Sequence, residues 1–418
     1  MRFSEVFVFK FVSASMSQSR VYADAIAKQS STYCDYENMD ITWTSPSRYE
    51  LIASVGRGKF SEVFKARDRE TGEYVSIKHL KPIRKRKIRK EIKIMQNLSG
   101  GPSIIPLLDT VKDKETESPN IVTRWVNTIP YREFYASLSD HEFRYYLYKM
   151  LIGLDYTHSR GIIHRDIKPQ NILVDYRSRE VFIIDWGLAD FYIPENELNV
   201  RVSTRNYKGP ELLTNNAHYD YSVDMWSFGC MIAGIVFNRL PFFRAKGNAE
   251  QLRRISEVLG TEGLFQYIEK YKLHVDPEVM SQVSVSRKKD WTEFASEGNP
   301  RFLCTELYDL LDNLLIYDHH ERFTAKECMQ HPYFDPVREE VESERKDEEI
   351  RPTPEKTLLV KLEGLHDELK EKATKEIELG DYDVVDSLCG LLKSVEYHED
   401  NLRTNPTDET VANAQHFL

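Results

Sequence analysis

A short polar segment near the middle of the chain combines side chains that could transfer a phosphoryl group. It runs from His164 to Asn171, and Asp185 follows fourteen residues later. Phosphoryl transfer to a hydroxyl needs a positioned acceptor, neutralised charge and bridging metal ions more than a covalent intermediate. Asp166 would orient the acceptor hydroxyl and accept its proton, and Lys168 would offset charge on the phosphoryl group. Asn171 and Asp185 offer the hard oxygen ligands that Mg²⁺ prefers.

A glycine-containing turn upstream of this segment could lie against phosphate groups. The apolar run Leu51–Val55 leads into Gly56, Gly58 and Ser61, and alternating apolar residues follow up to Phe64. This order predicts a β-hairpin whose tip aims backbone amides at an anion, because glycine lets the backbone approach closely. The pattern alone is weak evidence, since Ser61 stands where a third glycine would complete it.

A lysine and a glutamate complete the set. Tyr74–Lys78 alternates like a strand and ends in Lys78, which could pair with the α- and β-phosphates of a nucleotide. Glu91, in the helical stretch Arg86–Asn97, is the natural partner that would fix this lysine. Each feature alone could be an ordinary turn or a solvated charge. Because all of them occur in this order and at suitable spacings, the probability that they are only turns and solvated charges is about a few per cent.

Three more residues have a predicted structural role. Glu211 follows Gly209-Pro210, and Arg322 lies far downstream, where a buried ion pair between the two would hold the larger half of the fold together. Asp224 is predicted to anchor the catalytic loop from below. A buried pair that loses one partner typically costs roughly 3–5 kcal/mol, so we expect these residues to affect stability before chemistry.

With these motifs in place, residues 20–334 resemble the catalytic alpha subunits of casein kinase II, a family of Ser/Thr protein kinases. Trp186 and Gly209 favour this family in particular, because most kinases carry Phe and Ala there. The resemblance implies an α+β fold of two lobes, a small β-rich lobe and a larger, mainly helical one. It implies ATP, with GTP as a possible alternative, and Mg²⁺. The segments that carry it are Gly56–Phe64, Lys81–Ile88, Asp185–Ala189, Asn199–Val202 and Lys208–Glu211.

The resemblance also assigns a nucleotide pocket, with departures from the family pattern. Thr123 aligns with the gatekeeper position where the family has Phe, and Ser76 stands where an apolar residue is expected. A smaller gatekeeper opens space behind the base, so we expect altered inhibitor selectivity. Arg124–Val126 align with the hinge segment, and the family's use of GTP depends on the geometry of this hinge. The predicted nucleotide-binding residues are Val55, Gly56, Gly58, Ser61, Val63, Lys78, Glu91, Thr123, Trp125, Val126, Leu173 and Ile184.

Two basic clusters flank the expected acceptor hydroxyl. Charge complementarity steers encounter and rejects like-charged partners, so these clusters predict acidic protein substrates. The resemblance implies the same preference, for Ser or Thr followed by acidic residues. The alternatives are a nuclear-localisation or heparin patch, and surface charge that merely solvates a helix. The clusters consist of Arg84, Lys85, Arg86 and Lys87, and of Arg201, Arg205 and Lys208.

Composition limits the remaining possibilities. The 418 residues are 41% hydrophobic, enough for two lobes and additional material. Five cysteines without paired spacing favour reduced thiols, and hence the cytoplasm and nucleus, over a disulfide frame or a zinc site. The longest apolar runs are far shorter than the roughly 20 residues of a membrane span. We therefore expect no membrane association, and we expect no specific nucleic-acid partner.

The resemblance implies constitutive activity, because in this family an N-terminal segment packs on the activation segment and holds it open. Arg20–Asp24 and Tyr33–Glu37 occupy the matching positions. Cys34 replaces a tryptophan of the family, which removes a large apolar anchor. In the activation segment, Ser203 and Thr204 are the Ser and Thr hydroxyls available for a phosphorylation switch.

The resemblance further implies a regulatory beta subunit that docks on the outer face of the small lobe. Four apolar residues align with that docking patch: Leu51, Phe64, Ile77 and Val122. Ordinary packing of the sheet is the alternative explanation for them.

The sequence predicts five regions. They are an N-terminal extension (1–19), a segment that packs on the kinase body (20–49), the kinase domain (50–334), a charged linker (335–352) and an acidic tail (353–418). Residues 338–418 hold 11 Lys+Arg against 22 Asp+Glu, whereas the preceding residues hold 46 and 45. Two leucine- and valine-rich stripes, the first from Leu358 to Leu369 and the second from Val384 to Val395, predict a two-helix hairpin in the tail.

Three functions from different classes remain open at this point. The first is an active, acid-directed Ser/Thr kinase. The second is a pseudokinase scaffold, which the presence of Lys78, Asp166 and Asp185 disfavours. The third is an interaction subunit whose C-terminal helices carry the function, with catalysis secondary. A separate hypothesis is that the acidic tail inhibits the kinase by competing with substrate for the basic site.

Overall fold

The computed structural model describes residues 18–58, 61–81, 84–113, 117–296, 300–350, 361–362, 365–366, 368–375, 382–404 and 414. The chain divides into two compact units, with the boundary between Glu339 and Glu340. The first unit contains the predicted kinase body. Most of the predicted N-terminal extension lies outside the described residues.

A five-stranded antiparallel sheet forms the small lobe of the first unit. Its strand order is β1-β2-β3-β5-β4, and the helix α1 (Lys85–Asn97) connects β3 to β4. Alternation of apolar and polar residues along β3 sends Val75 and Ile77 to one face and Ser76 and Lys78 to the other. The strands are β1 Tyr49–Arg57, β2 Ser61–Asp68, β3 Tyr74–Leu80, β4 Leu107–Lys112 and β5 Pro119–Arg124.

The buried face of this sheet corrects one prediction. Ile77 and Val122 are 6% and 0% exposed and pack in one cluster with Tyr49. They lie on the inner strands β3 and β5, where neighbouring side chains cover them, so they do not belong to an exposed docking patch. Leu51, on the edge strand β1, is 59% exposed, and Phe64 is half-buried.

The large lobe is mainly helical and carries two small two-stranded sheets beside the catalytic loop. Strand β6 (Ile162–Ile163) pairs with β9 (Asp190–Phe191), and β7 (Ile172–Asp175) pairs with β8 (Glu180–Ile183). The predicted two-lobed α+β fold is confirmed. The helices are α2 Tyr131–Ser137, α3 Asp140–Ser159, α4 Pro210–Leu213, α5 Ser222–Val236, α6 Asn248–Leu259, α7 Glu262–Lys270, α8 Pro277–Met280, α9 Thr305–Leu314, α10 Ala325–Gln330 and α11 Asp335–Ile350, which crosses the boundary between the units.

Two helices of the large lobe lie close to the catalytic loop and its support. Helix α3 begins at a capping box, in which Ser139 and Glu142 satisfy each other's backbone amides. Every residue of α5 is buried, as expected for a helix that is apolar on all sides. The helices provide a fixed base under the loop that contains Asp166.

A fully buried ion pair joins α4 to the end of the lobe. Glu211 Oε1 lies 3.1 Å from Arg322 Nη1, and neither side chain is exposed. Arg322 also donates to the carbonyl oxygens of Ser222 and Ile316, at 2.7 and 2.9 Å. A Cβ at Gly209 would lie 2.5 Å from the Glu211 carboxylate, which explains why glycine occupies that position.

Replacing Glu211 by Ala should lower the free energy of unfolding by roughly 3–5 kcal/mol, because it leaves the Arg322 guanidinium buried without its carboxylate. Chemical denaturation monitored by tryptophan fluorescence would measure this change. Asp24→Ala removes an exposed carboxylate and is the control, with no expected change in the unfolding midpoint. Equal midpoints for the two variants would contradict the structural role of Glu211.

The second unit contains α12 (Tyr382–Thr404) and helical residues between 361 and 375. Its described apolar residues form a cluster of their own. Leu391 is an exception to the predicted stripe, since it is 47% exposed. Leu358 and the side chains of Val384 and Val385 lie outside the description. The cluster comprises Leu362, Leu369, Val395 and Ala414, with Leu365, Leu388 and Leu392 partly buried against it. Across the described part of the chain, every helix is too short or too polar to traverse a bilayer.

Candidate active site

The ammonium group of Lys78 joins three separate elements of the kinase body. Its Nζ lies 2.6 Å from Glu91 Oε1 on α1 and 2.7 Å from Asp185 Oδ1, which follows β8. Burial alone would lower the pKa of Lys78, but the two carboxylates outweigh it and hold the pKa above its ordinary value. Burial alone would also raise the pKa of Asp185, yet Lys78 holds that pKa below its usual range. The lysine is therefore a fixed cation at neutral pH.

The loop below this lysine brings the predicted catalytic groups together. Asp166 Oδ2 accepts a hydrogen bond from Lys168 Nζ at 2.5 Å. Thr204 donates to Asp166 Oδ1 from its backbone amide and its hydroxyl, at 2.7 and 2.6 Å. Lys168 Nζ also donates to Thr204 Oγ1 at 2.9 Å. Thr204 is thus part of the catalytic constellation, a contact that the sequence analysis did not predict.

The predicted metal ligands have the chemistry that a hard cation requires. Asn171 Nδ2 donates to the backbone and side-chain oxygens of Asp166, which leaves the Asn171 amide oxygen as the free ligand atom. Asp185 adopts a left-handed backbone (φ 64°), and its carboxylate is 45% exposed. An amide oxygen and an ionised carboxylate fit Mg²⁺. When bound there, Mg²⁺ would neutralise charge on nucleotide phosphates.

Asp224 anchors the loop that carries Asp166. Its fully buried carboxylate accepts hydrogen bonds from the backbone amides of His164 and Arg165, at 2.8 and 2.7 Å, and contacts His158 Nε2 at 3.0 Å. Burial alone would raise the pKa of Asp224, but these partners, His158 first among them, hold it below its usual range. The permanent carboxylate therefore fixes the backbone of the catalytic loop.

A cavity of about 410 Å³ opens between the two lobes above this loop. Gly58 is the exception among the predicted nucleotide-binding residues, because it lies at the hairpin tip and not in the cavity wall. There its amide donates to Ser61 O at 2.8 Å and its carbonyl accepts from Lys81 Nζ at 2.7 Å. The predicted residues that line the cavity are Val55, Gly56, Ser61, Val63, Lys78, Glu91, Thr123, Trp125, Val126, Leu173 and Ile184.

Two hydroxyl side chains form the back of this cavity. Ser76 on β3 and Thr123 on β5 are direct cross-strand partners, and both line the cavity. Within the described part of the chain, neither side chain makes a hydrogen bond. The back wall therefore offers both space and polar atoms to a ligand that extends behind the base.

Replacing Thr123 by Phe should weaken inhibitors with bulky groups behind the adenine by more than about tenfold, because the ring would fill that space. Inhibition constants at matched ATP saturation would measure the change. An inhibitor without such a group is the internal control and should keep its affinity. Unchanged affinity of the bulky inhibitors would show that they do not enter this region.

Ion pairs hold the beginning of the activation segment in place. Asp190 Oδ2 lies 2.7 Å from Arg165 Nη2 of the catalytic loop and 2.8 Å from Lys90 Nζ of α1. Arg165 Nε also donates to Leu188 O at 2.7 Å. One carboxylate thus links α1, the catalytic loop and the segment that begins at Asp185.

Residues of the N-terminal segment pack directly on the activation segment. Tyr33 contacts the Phe191 ring edge to face at 5.8 Å, and Tyr36 stacks on the same ring at 6.3 Å. The Ser19 amide donates to Tyr192 Oη at 2.7 Å. These aromatic contacts bury the segment next to the Asp190 carboxylate.

The same N-terminal segment reaches α1. Arg89 Nη1 donates to Met39 O at 3.2 Å and to Glu37 O, and Arg86 Nε lies 2.6 Å from the Glu37 carboxylate. Cys34 is half-buried, and burial raises the pKa of its thiol to about 11, so the thiol stays protonated. Residues 18–48 therefore connect the activation segment to the helix that carries Glu91.

Replacing Asp190 by Ala should lower kcat about tenfold, because it leaves Lys90 and Arg165 as neighbouring cations and loosens α1 from the catalytic loop. Steady-state kinetics at saturating ATP and peptide would measure this loss. Glu197→Ala, an exposed residue of the same segment, is the matched control and should keep full activity. Full activity of the Asp190 variant would rule out this link as a determinant of the active arrangement.

The predicted substrate-binding cations fall into two structural groups. Arg84, Lys85, Arg86 and Lys87 are exposed at the start of α1, and Arg86 is already paired with Glu37. Arg201 and Arg205 are exposed near Thr204, whereas Lys208 is only 8% exposed. Burial, followed by the positive charge of Arg205, lowers the pKa of Lys208.

This arrangement of a phosphate-facing hairpin, a paired lysine and a carboxylate loop defines an ATP-dependent phosphotransferase. Residues 49–334 match the family model described as the protein kinase domain. That match covers more than half of the chain, and the protein belongs to the protein kinase family.

The residues that sequence reasoning missed act through distant partners. Thr204 contacts Asp166 from 38 positions away, and Asp190 lies 100 positions from Lys90. Arg124 at the hinge lies 56 positions from its partner Glu180. The available sequence signal was only that each is a polar residue inside or beside a recognised motif.

Proposed function

We propose that this protein is an ATP-dependent Ser/Thr kinase that phosphorylates residues followed by acidic side chains. One observation carries the proposal: cations without carboxylate partners flank Thr204 in the chain, and Thr204 bonds to Asp166. In the described structure, Arg201, Arg205 and Lys208 form no ion pair, and Arg205 directly follows Thr204, which bonds to Asp166. An acidic residue beside the acceptor would relieve the repulsion between these cations.

The aliphatic hydroxyl of Thr204 supports a Ser/Thr acceptor. Its Oγ1 already bonds to both Asp166 and Lys168, which is the pair of contacts that an acceptor alcohol would make. Asp166 would take the proton from the acceptor oxygen, and Lys168 would offset the charge that moves onto the phosphoryl oxygens. Lys78 would hold the nucleotide phosphates from above.

The contacts of Asp190 and of the N-terminal segment favour constitutive activity, because both stabilise the active arrangement without a phosphorylated residue. By resemblance, the protein would be the catalytic subunit of a casein kinase II-like holoenzyme in the cytoplasm and nucleus. A regulatory beta subunit would contact Leu51 and Phe64, since Ile77 and Val122 are buried. ATP would be the donor, and GTP is a possible second donor.

Transfer to a Ser peptide followed by four acidic residues is the direct test. We expect strong transfer to that peptide, little to a matched peptide with basic flanks, and none by the Asp166→Asn variant. Transfer to neither peptide would favour a scaffold, or a tail that competes with substrate. Equal transfer to both peptides would show that the protein is an active kinase but does not prefer acidic substrates.

The double variant Arg201→Glu/Arg205→Glu tests the residues behind the preference. We expect KM for the acidic peptide to rise more than about tenfold, with KM for ATP unchanged, because the variant replaces attraction by repulsion. Arg254→Glu, on helix α6, reverses one exposed charge that already has carboxylate partners, and it serves as the control. An unchanged KM for the acidic peptide would show that Arg201 and Arg205 do not bind it, and the cations Arg84–Lys87 at the start of α1 would remain as candidates.

A further inference from the structure

A bidentate ion pair lies at the hinge beside the cavity, and one of its two residues, Arg124, lines that cavity. Arg124 Nη1 donates to Glu180 Oε1 at 3.1 Å, and Nη2 donates to Glu180 Oε2 at 2.8 Å. Ser178 Oγ also donates to Glu180 Oε2 at 2.8 Å, and the Arg124 guanidinium lies 5.1 Å from the Phe182 ring centroid. Two parallel hydrogen bonds fix direction as well as distance, and few other side-chain pairs do so.

The two partners belong to different lobes. Arg124 is the last residue of β5 in the small lobe, and Glu180 is the first residue of β8 in the large lobe. Arg124 itself lines the cavity, and the next two residues, Trp125 and Val126, line it as well. The chain therefore leaves the sheet at the point where the ion pair holds it.

The other side of the pair supports the floor of the same cavity. In the hairpin of β7 and β8, Phe182 is the register partner of Leu173, and Leu173 lines the cavity. Arg124 thus contacts two residues of β8, the strand that pairs with the strand of Leu173. It forms hydrogen bonds with Glu180, and its guanidinium lies over the ring of Phe182. The contact therefore joins the strand end beside Trp125 and Val126 to the strand that pairs with Leu173.

We propose that Arg124 and Glu180 form a positioning pair that sets the width of the base-binding slot and so determines nucleotide affinity. The inference rests on the nucleotide site of the kinase family and not on the proposed acidic substrate. Neither residue contacts the reacting atoms near Asp166, so the pair acts on binding of the base rather than on phosphoryl transfer. If the ion pair already holds the slot at one width, less conformational entropy is lost when the nucleotide binds.

Two single variants that each reverse one charge, and a double variant that exchanges the two residues, give a direct test. We expect Arg124→Glu and Glu180→Arg each to weaken binding of the non-hydrolysable analogue AMP-PNP with Mg²⁺ by about five- to tenfold, as measured by calorimetry. This range suits a bidentate pair that is partly exposed (42% and 35%) and is replaced by like charges. The double variant Arg124→Glu/Glu180→Arg should recover affinity to within about threefold of the original protein.

Kinetics should separate positioning from general damage. We expect KM for ATP to follow the calorimetric affinity, whereas kcat stays within about twofold and the melting temperature is unchanged, because both side chains lie partly at the surface. Arg254→Glu is the matched control, since its side chain is 44% exposed and also forms ion pairs with carboxylates. It should alter neither AMP-PNP affinity nor KM for ATP.

Two results would overturn the proposal. Single variants that bind AMP-PNP as tightly as the control would show that the pair does not set the slot. A double variant no better than the single variants would show that the charges act separately. Because the calorimetric measurement needs no peptide, failure of the acidic preference would leave this test intact, and failure here would leave the peptide result intact.

Discussion

The position of one ammonium group determines whether the rest of the site can work. Lys78 meets Glu91 and Asp185 at the same time, so β3, α1 and the segment after β8 must each take one relative position. The two carboxylates would repel each other without the cation between them. Since the lysine is largely buried, both contacts gain strength from the low local dielectric. A shift of α1 would break one contact and leave an excess charge.

The local parts of the site could be predicted from the sequence, because short spacing fixes them. Asp166, Lys168 and Asn171 lie on one loop. Because they are at most five positions apart in the chain, their side chains must lie close together, as the hydrogen bonds of Asp166 show. The contacts of Thr204 and Asp190 could not be predicted, because they depend on how the activation segment folds back over the loop. The burial of Ile77 and Val122 could not be predicted for a related reason. Alternation along a strand shows which residues share a face of the sheet, but not whether neighbouring side chains cover that face.

Charge patterns show the same limit. The basic run at the start of α1 looks uniform in sequence, yet the fold divides it among different tasks. Lys90 pairs with Asp190, and Arg89 holds the backbone of the N-terminal segment. Arg86 pairs with Glu37, whereas Arg201 and Arg205 near the catalytic loop have no carboxylate partner in the described structure. Local charge density therefore identifies a basic surface, and only the tertiary contacts identify which cations remain available to a substrate.

Among the described residues, three cation–carboxylate contacts cross between the lobes, at Lys78, Lys90 and Arg124. The Arg124 pair is the most exposed, and exposed pairs contribute only about 0–1 kcal/mol individually, whereas the side chains of Lys78 and Lys90 are each 20% exposed. Their effect is cooperative because all three join the same two bodies: once two contacts fix the lobes, the third forms without further loss of rotational freedom. The three contacts therefore act as a set that shares one geometry, and the two at Lys78 and Lys90 still join the lobes when the more exposed Arg124 pair is lost.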